Sequence, residues 1–237
     1  MASIGIIGGM GPLATVRLFE EIVLNTLAGC DQDHIRIFID NNPKIPDRTA
    51  FITGSGENPK EEIIRTVRNL LSIGADYLIM PCNTAHYFSE NIREEAGGKF
   101  LDMIEETVRA VRMNYPGKNT VALMATKGTY QGKVYQKVSA RYGINIIEPT
   151  DPEKDVIMEL IYKIKGGIYD KAESYSRLLQ SYIDRGTDCF ILGCTELSVA
   201  NKLYGFSGIQ IDPLYILAVE AIRRSGGTVK ENRGELK

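Results

Sequence analysis

Apolar residues along this chain fall into two alternating patterns. Short β-branched runs at Ser3–Ile7, Ile35–Ile39, Tyr77–Met80, Thr120–Met124, Ile144–Ile147 and Cys189–Leu192 read as strands. Between them lie amphipathic stretches at helical spacing, among them Pro59–Ile73, Asp155–Lys165 and Lys171–Arg185. Strand and helix patterns that alternate in this way predict an α/β fold with parallel sheets.

The chain also contains itself twice. Gly74-Ala75-Asp76-Tyr77-Leu78-Ile79-Met80-Pro81-Cys82 parallels Gly186-Thr187-Asp188-Cys189-Phe190-Ile191-Leu192-Gly193-Cys194, and Ile4 through Gly11 parallels Val121 through Gly128. Two matches in the same order imply two similar Rossmann-like α/β domains related by pseudo-two-fold symmetry. In open α/β sheets ligands bind beyond the carboxyl ends of the strands, so the active site is expected in the interdomain cleft, with Cys82 on one wall and Cys194 on the other. The expected division is discontinuous. Residues 1–98 with 212–237 form one lobe, residues 99–211 form the other, and Ile209–Pro213 carries the chain back.

Composition narrows the function classes. The 237 residues are 43% hydrophobic and 24% charged, which is ordinary for a globular protein, and the net charge of −2 offers no basic field for nucleic acid. No apolar run reaches membrane-spanning length, and the N-terminus carries no targeting pattern. Four cysteines are too few for a disulfide scaffold, and two histidines are a poor start for a zinc site, so no metal is expected and a cytoplasmic setting with reduced thiols is the default. The mixed charges from Arg223 to Lys237 read as a solvated end.

A single cysteine at a strand end is more often a small buried hydrophobe than a reactive group. Cys189 fits that description inside its apolar run, and Cys30 lies in a polar loop. The repeat sets Cys82 and Cys194 apart, because it places both at equivalent, ligand-facing ends. A thiolate is a base and a thiol an acid, so a pair facing each other across a cleft is suited to moving protons on two sides of one carbon. Asn83-Thr84 and Thr195-Glu196 follow the two cysteines and read as N-caps of helices whose N-termini favour a thiolate and a bound carboxylate. His86 has two readings: it faces the cleft beside Cys82 and adjusts its pKa, or it is bonded to backbone.

Other thiol chemistries fit less well. A phosphatase-like loop wants arginine six residues after the cysteine, where Phe88 and Ala200 stand, and no Cys-x-x-Cys exists. Gly9-x-Gly11-x-x-Ala14 satisfies a relaxed dinucleotide fingerprint, but Pro12 removes a backbone donor and suits the first turn of a helix instead. No cofactor is expected.

Four blocks carry a family resemblance: Ile6-Ile7-Gly8-Gly9-Met10-Gly11-Pro12-Leu13-Ala14-Thr15, Asn41-Asn42-Pro43-Lys44-Ile45-Pro46-Asp47-Arg48-Thr49, Met80-Pro81-Cys82-Asn83-Thr84-Ala85-His86 and Leu192-Gly193-Cys194-Thr195-Glu196-Leu197. In order and spacing they resemble the aspartate/glutamate racemase family, most of all its archaeal-type aspartate racemases, from Ser3 to about Ala221. The resemblance implies a PLP-independent isomerase that inverts aspartate with Cys82 and Cys194 as the two bases. It implies Asn83, Thr84 and Thr195 at the α-carboxylate or ammonium, and Arg48 at the distal carboxylate. Lys165 is expected to assist Arg48, with Lys163 two residues away as its rival. Met10, Thr126 and Glu196 line the site, the partner is a small acidic amino acid, and a homodimer is expected. Glutamate or broad acidic specificity stays open, as one methylene changes binding little. A related decarboxylase or hydantoin racemase, a nicotinamide-dependent oxidoreductase and a non-catalytic dicarboxylate binder rank lower.

Overall fold

The computed structural model describes residues 1–230, and residues 231–237 of the expected first lobe lie outside the described residues. Two parallel sheets form. The first has the order β2-β1-β3, with β1 at Ile4–Gly8, β2 at Ile37–Asn41 and β3 at Tyr77–Ile79. The second has the order β5-β4-β6-β7, with β4 at Thr120–Ala125, β5 at Asn145–Ile147, β6 at Cys189–Gly193 and β7 at Ile209–Ile211. The expected α/β class with two parallel-sheet domains is the observed one.

The sequence repeat is also a repeat of register. β1 pairs with β3 as Gly5↔Leu78 and Ile6↔Ile79, and β4 pairs with β6 as Ala122↔Phe190 and Leu123↔Ile191. These are the same pairs under the two sequence offsets, so Cys82 and Cys194 stand three residues beyond equivalent partners. β7 falls outside the expected strands because its three residues, Ile-Gln-Ile, are too short to show a period. Its counterpart in the first half is a single parallel bridge, Leu78↔Phe100.

The helices of the first half are α1 (Pro12–Asn25), α2 (Arg48–Ile52), α3 (Lys60–Ser72) and α4 (Ser89–Ala96). Then come α5 (Met103–Asn114), α6 (Lys127–Gln131), α7 (Val134–Ser139), α8 (Asp151–Lys165), α9 (Glu173–Asp184), α10 (Thr195–Tyr204) and α11 (Pro213–Arg224). α8 begins four residues before its apolar period because Thr150 and Glu153 form a capping box. Asp102 caps α5 and Asp212 caps α11, each accepting two backbone N–H groups, so these helices are equivalent parts of the repeat. They pack on each other.

Strand alternation divides the core into layers. Ile4 and Ile6 of β1, Val121 and Leu123 of β4, and Cys189 and Ile191 of β6 belong to one apolar cluster, which continues through Val108, Val111, Leu217 and Ala221 of α5 and α11. Ile7 and Leu78 face outward onto α3 and α4, while Met124, Phe190 and Leu192 face outward onto α8, α9 and α10. The inner layer is therefore shared by the two halves. Among the described residues no helix is long and apolar enough to cross a membrane.

Part of the expected solvated end is tied down. Arg223 and Arg224 form the last turn of α11, and beyond them Leu27 N donates to Thr228 O and Lys230 N to Asn25 O, both at 2.8 Å. The last carbonyls of a helix find no partner within it, and at the end of α1 the C-terminal segment supplies a donor.

At the end of β1 the chain turns through Gly9 at φ +92°, where a Cβ would stand 2.3 Å from the Asn42 backbone. Gly9→Ala is expected to cost about 3 kcal/mol or more of unfolding free energy in a denaturant titration, from strain and clash together. Gly11→Ala, whose Cβ meets nothing within 4 Å, is expected to stay within about 0.5 kcal/mol of the parent.

Candidate functional site

The carboxyl ends of the two sheets face a cleft of about 470 Å³, and every side chain singled out as a site candidate lines it. Cys82 comes from the loop after β3 and Cys194 from the last position before α10. Met10 arrives from the β1–α1 turn, Arg48 from the first residue of α2, Thr126 from the cap of α6 and Lys165 from the last turn of α8. A larger groove of about 670 Å³ lies elsewhere, but its central charges are spent on one another, Arg93 with Asp102 and Glu105, and Arg109 with Glu106 and Glu220.

The two thiols differ in their surroundings. Cys82 is buried, and its Sγ has no hydrogen-bond partner among the described residues. Cys194 is half-buried, and its Sγ donates to Glu196 Oε2 at 2.9 Å. Burial and the neighbouring Glu196 carboxylate push the Cys194 pKa well above the ordinary thiol range, so this thiol keeps its proton at neutral pH. Lys165 Nζ stands 3.9 Å from Glu196 Oε1. Lys163 points elsewhere, paired with Glu159 at 3.0 Å and Asp170 at 3.4 Å, which leaves Lys165 as the lysine of the cleft. Cys189 is core, with its pKa pushed up to about 11 by burial, and Cys30 is exposed in its loop.

Arg48 is held rather than free. Its Nη1 donates to the carbonyls of Ile45 and Pro46 and its Nη2 to that of Met10, at 3.0 to 3.2 Å. Neutral carbonyls fix the guanidinium without cancelling its charge, and it has no carboxylate partner among the described residues. A half-buried cation of this kind, on a cleft wall, is suited to an anionic ligand.

The N-cap expectation needs correction. Cys194 itself takes the N-cap position of α10, with no side-chain cap bond, and Thr195 and Glu196 lie inside the first turn. After Cys82 a 3₁₀ turn spans Thr84–Phe88, and the α-helix begins only at Ser89. Asn83 has helical backbone angles and caps nothing, because its amide oxygen is occupied by the Tyr135 hydroxyl. Between the two readings of His86 the structure favours backbone. Its Nδ1 donates to the Cys82 carbonyl at 2.8 Å, and Met103 N donates to its Nε2 at 3.1 Å. Burial lowers the His86 pKa, so the ring is neutral and locks the Cys82 backbone without charging the cleft.

Several residues that matter here carried no sequence signal. Thr129 is fully buried, and its hydroxyl lies 3.0 Å from that of Thr84 and 3.1 Å from that of Thr126, while Thr84 and Thr126 are 3.0 Å apart. This triangle joins the two halves at the cleft wall, with Thr129 behind it. Gly128 makes it reachable, since a Cβ there would stand 2.7 Å from Thr49 Oγ1 and 3.0 Å from Thr84 Cγ2. Hydroxyls and a glycine inside a helix start have no period, and only the match of Gly128 to Gly11 in the repeat hinted at that position.

Comparison with known proteins agrees with this geometry. The sequence matches the Asp/Glu/hydantoin racemase family over residues 7–221. The broad specificity amino-acid racemase RacX of Bacillus subtilis is 29% identical over 202 residues, which cover 82% of this chain and 86% of that protein. The structure of Picrophilus torridus aspartate racemase is 32% identical and superposes with a TM-score of 0.79, covering 97% of this chain and 96% of that one. Glutamate racemase from Francisella tularensis, solved with D-glutamate, is 21% identical and shares the fold, with a TM-score of 0.66 over 94% of this chain and 80% of its own. With 215 of its 237 residues matched to that family and both halves of its fold shared with solved racemases, the chain belongs to the Asp/Glu/hydantoin racemases.

Proposed function

We propose that this racemase interconverts L- and D-aspartate without a cofactor, using Cys82 and Cys194 on opposite faces of the α-carbon. The observation that carries the reading is the equivalence of the two thiols. They follow register-matched strands of two repeated sheets and line one cleft. We also take residues 1–98 with the segment from 212 onward as one lobe and 99–211 as the other, each supplying one thiol.

In the reaction one thiolate takes the α-proton and becomes a thiol, while the opposite thiol delivers its proton to the far face and becomes a thiolate. Between the two transfers the negative charge spreads onto the α-carboxylate, where N–H donors around Asn83, Thr84 and Thr195 stabilise it. Arg48 takes the distal carboxylate, and Lys165 adds a second positive group to the same cleft. Two cations lining one cleft favour a dicarboxylic substrate in a protein of net negative charge. The raised Cys194 pKa makes this residue the resting acid.

The relatives support two specificities. The Picrophilus torridus aspartate racemase, matched over nearly its whole length, supports aspartate. The broad specificity racemase of Bacillus subtilis supports a wider acceptance of amino acids.

Dialysed protein incubated with L-aspartate, L-glutamate or L-alanine and analysed by chiral chromatography tests both. D-Aspartate is expected fastest, with Cys82→Ala and Cys194→Ala each slowing its formation by about a hundredfold or more. Equal rates on all three amino acids support the wider specificity, and no inversion of any of them overturns the proposal.

The pH dependence has a definite sign. Burial and the Glu196 carboxylate raise the Cys194 pKa, so the alkaline fall of kcat/KM, set by loss of that proton, is expected above the ordinary thiol range. Glu196→Gln removes the negative charge and moves this limb to lower pH. A limb that stays in place or rises contradicts the assignment of Cys194 as the resting acid.

A further inference from the structure

Tyr135 lies on α7 with its side chain fully buried, 52 residues along the chain from the cleft residue Asn83. Its hydroxyl donates to Asn83 Oδ1 at 2.5 Å. Asn83 follows Cys82 on the wall of the cleft, so a group from the second half holds the residue next to the thiol of the first.

This bond decides what Asn83 offers. An asparagine amide presents an accepting oxygen on one side and two N–H donors on the other, and turning it over reverses its chemistry. With the oxygen held by Tyr135, the N–H donors are what remains, and among the described residues they have no protein partner. Burial pushes the Tyr135 pKa well above the ordinary phenol value, so the donor keeps its proton throughout the working range.

We propose that Tyr135 is a positioning residue that fixes the Asn83 amide with its N–H donors toward the cleft and so makes Asn83 a reader of the substrate's α-carboxylate rather than of its ammonium. The proposal rests on the racemase reading for the identity of that carboxylate. The carboxylate gains charge as the α-proton leaves, so the fixed donors act on kcat as well as on KM. They are fixed only while residues 126–135 lie against residues 82–88. The close contacts at Gly128 and Gly132 hold them there, since a Cβ at Gly132 would meet Tyr87 Cδ2 at 3.0 Å.

The test is a double-mutant cycle with Tyr135→Phe and Asn83→Ala, read in three ways: kcat and KM for L-aspartate, succinate affinity by calorimetry, and melting temperature. Succinate is a dicarboxylate that cannot be racemised, so its binding reports on the site whether or not turnover occurs. Tyr135→Phe is expected to lower kcat/KM and succinate affinity roughly tenfold each, with a small change in melting temperature and no further loss when added to Asn83→Ala. Asn83→Asp, which keeps the acceptor for the phenol but has no N–H, is expected to lose succinate as Asn83→Ala does.

Losses that multiply in the double variant overturn the proposal, because Tyr135 then acts through packing alone. Wild-type behaviour in Tyr135→Phe, or succinate binding that Asn83→Ala leaves unchanged, also overturns it. A wild-type protein that inverts no amino acid removes the racemase reading, while the succinate cycle still reports whether Tyr135 acts through Asn83.

Discussion

The site depends on one seam, where residues 126–135 of the second half lie against residues 82–88 of the first. Close approach is the constraint. Thr49 and Thr84 sit where any Cβ at position 128 would go, and this lets the hydroxyls of Thr84, Thr126 and Thr129 meet in a triangle. Each of these hydroxyls can both donate and accept, so the three can close a ring of hydrogen bonds among themselves. The shared apolar layer under the seam, from Ile6 through α5 and α11 to Ile191, holds the sheets at the spacing that the triangle needs.

Beside that seam stands an asymmetry between two groups that the repeat makes equivalent. At Cys82 the backbone is held by a neutral, buried His86, and the thiol has no hydrogen-bond partner among the described residues. At Cys194 the thiol is held by a carboxylate that keeps its proton in place. In the proposed reaction each turnover exchanges the two roles, so inversion in both directions uses both states, and the Glu196 contact favours the one in which Cys194 holds the proton. The sequence difference behind this is small: two residues after Cys194 stands Glu196, where two residues after Cys82 stands Thr84.

The fold was readable because it is periodic. Strand runs, helix stretches and two repeats at nearly constant offset identified the sheets and placed Cys82 and Cys194 at matching ends. Strand limits shifted by one or two residues, and β7 was too short to see. The equivalence of α5 and α11 is carried by single capping aspartates, Asp102 and Asp212, in otherwise dissimilar segments. The site candidates were readable where they sit in compact blocks, and the structure gathers those blocks around one cleft. Tyr135 and Thr129 were not readable. Their importance comes from a contact formed between halves, about 50 residues apart in sequence, and nothing local marks a buried hydroxyl as a partner for a distant amide. Asn83 was misread as a cap for the same reason, since local rules describe what an asparagine does in the absence of such a partner.

The central claim is that two separate bases act on one carbon from opposite sides. Its most direct test is the isotope content of both enantiomers early in the conversion of L-aspartate in heavy water. With two thiols, the D-aspartate formed carries deuterium at the α-carbon, while the remaining L-aspartate keeps protium, because the abstracted proton stays on the first thiol until the far face is filled. Protium carried over into the D-aspartate, or deuterium entering the L-aspartate as fast as it enters the product, indicates a single shared base and contradicts the account.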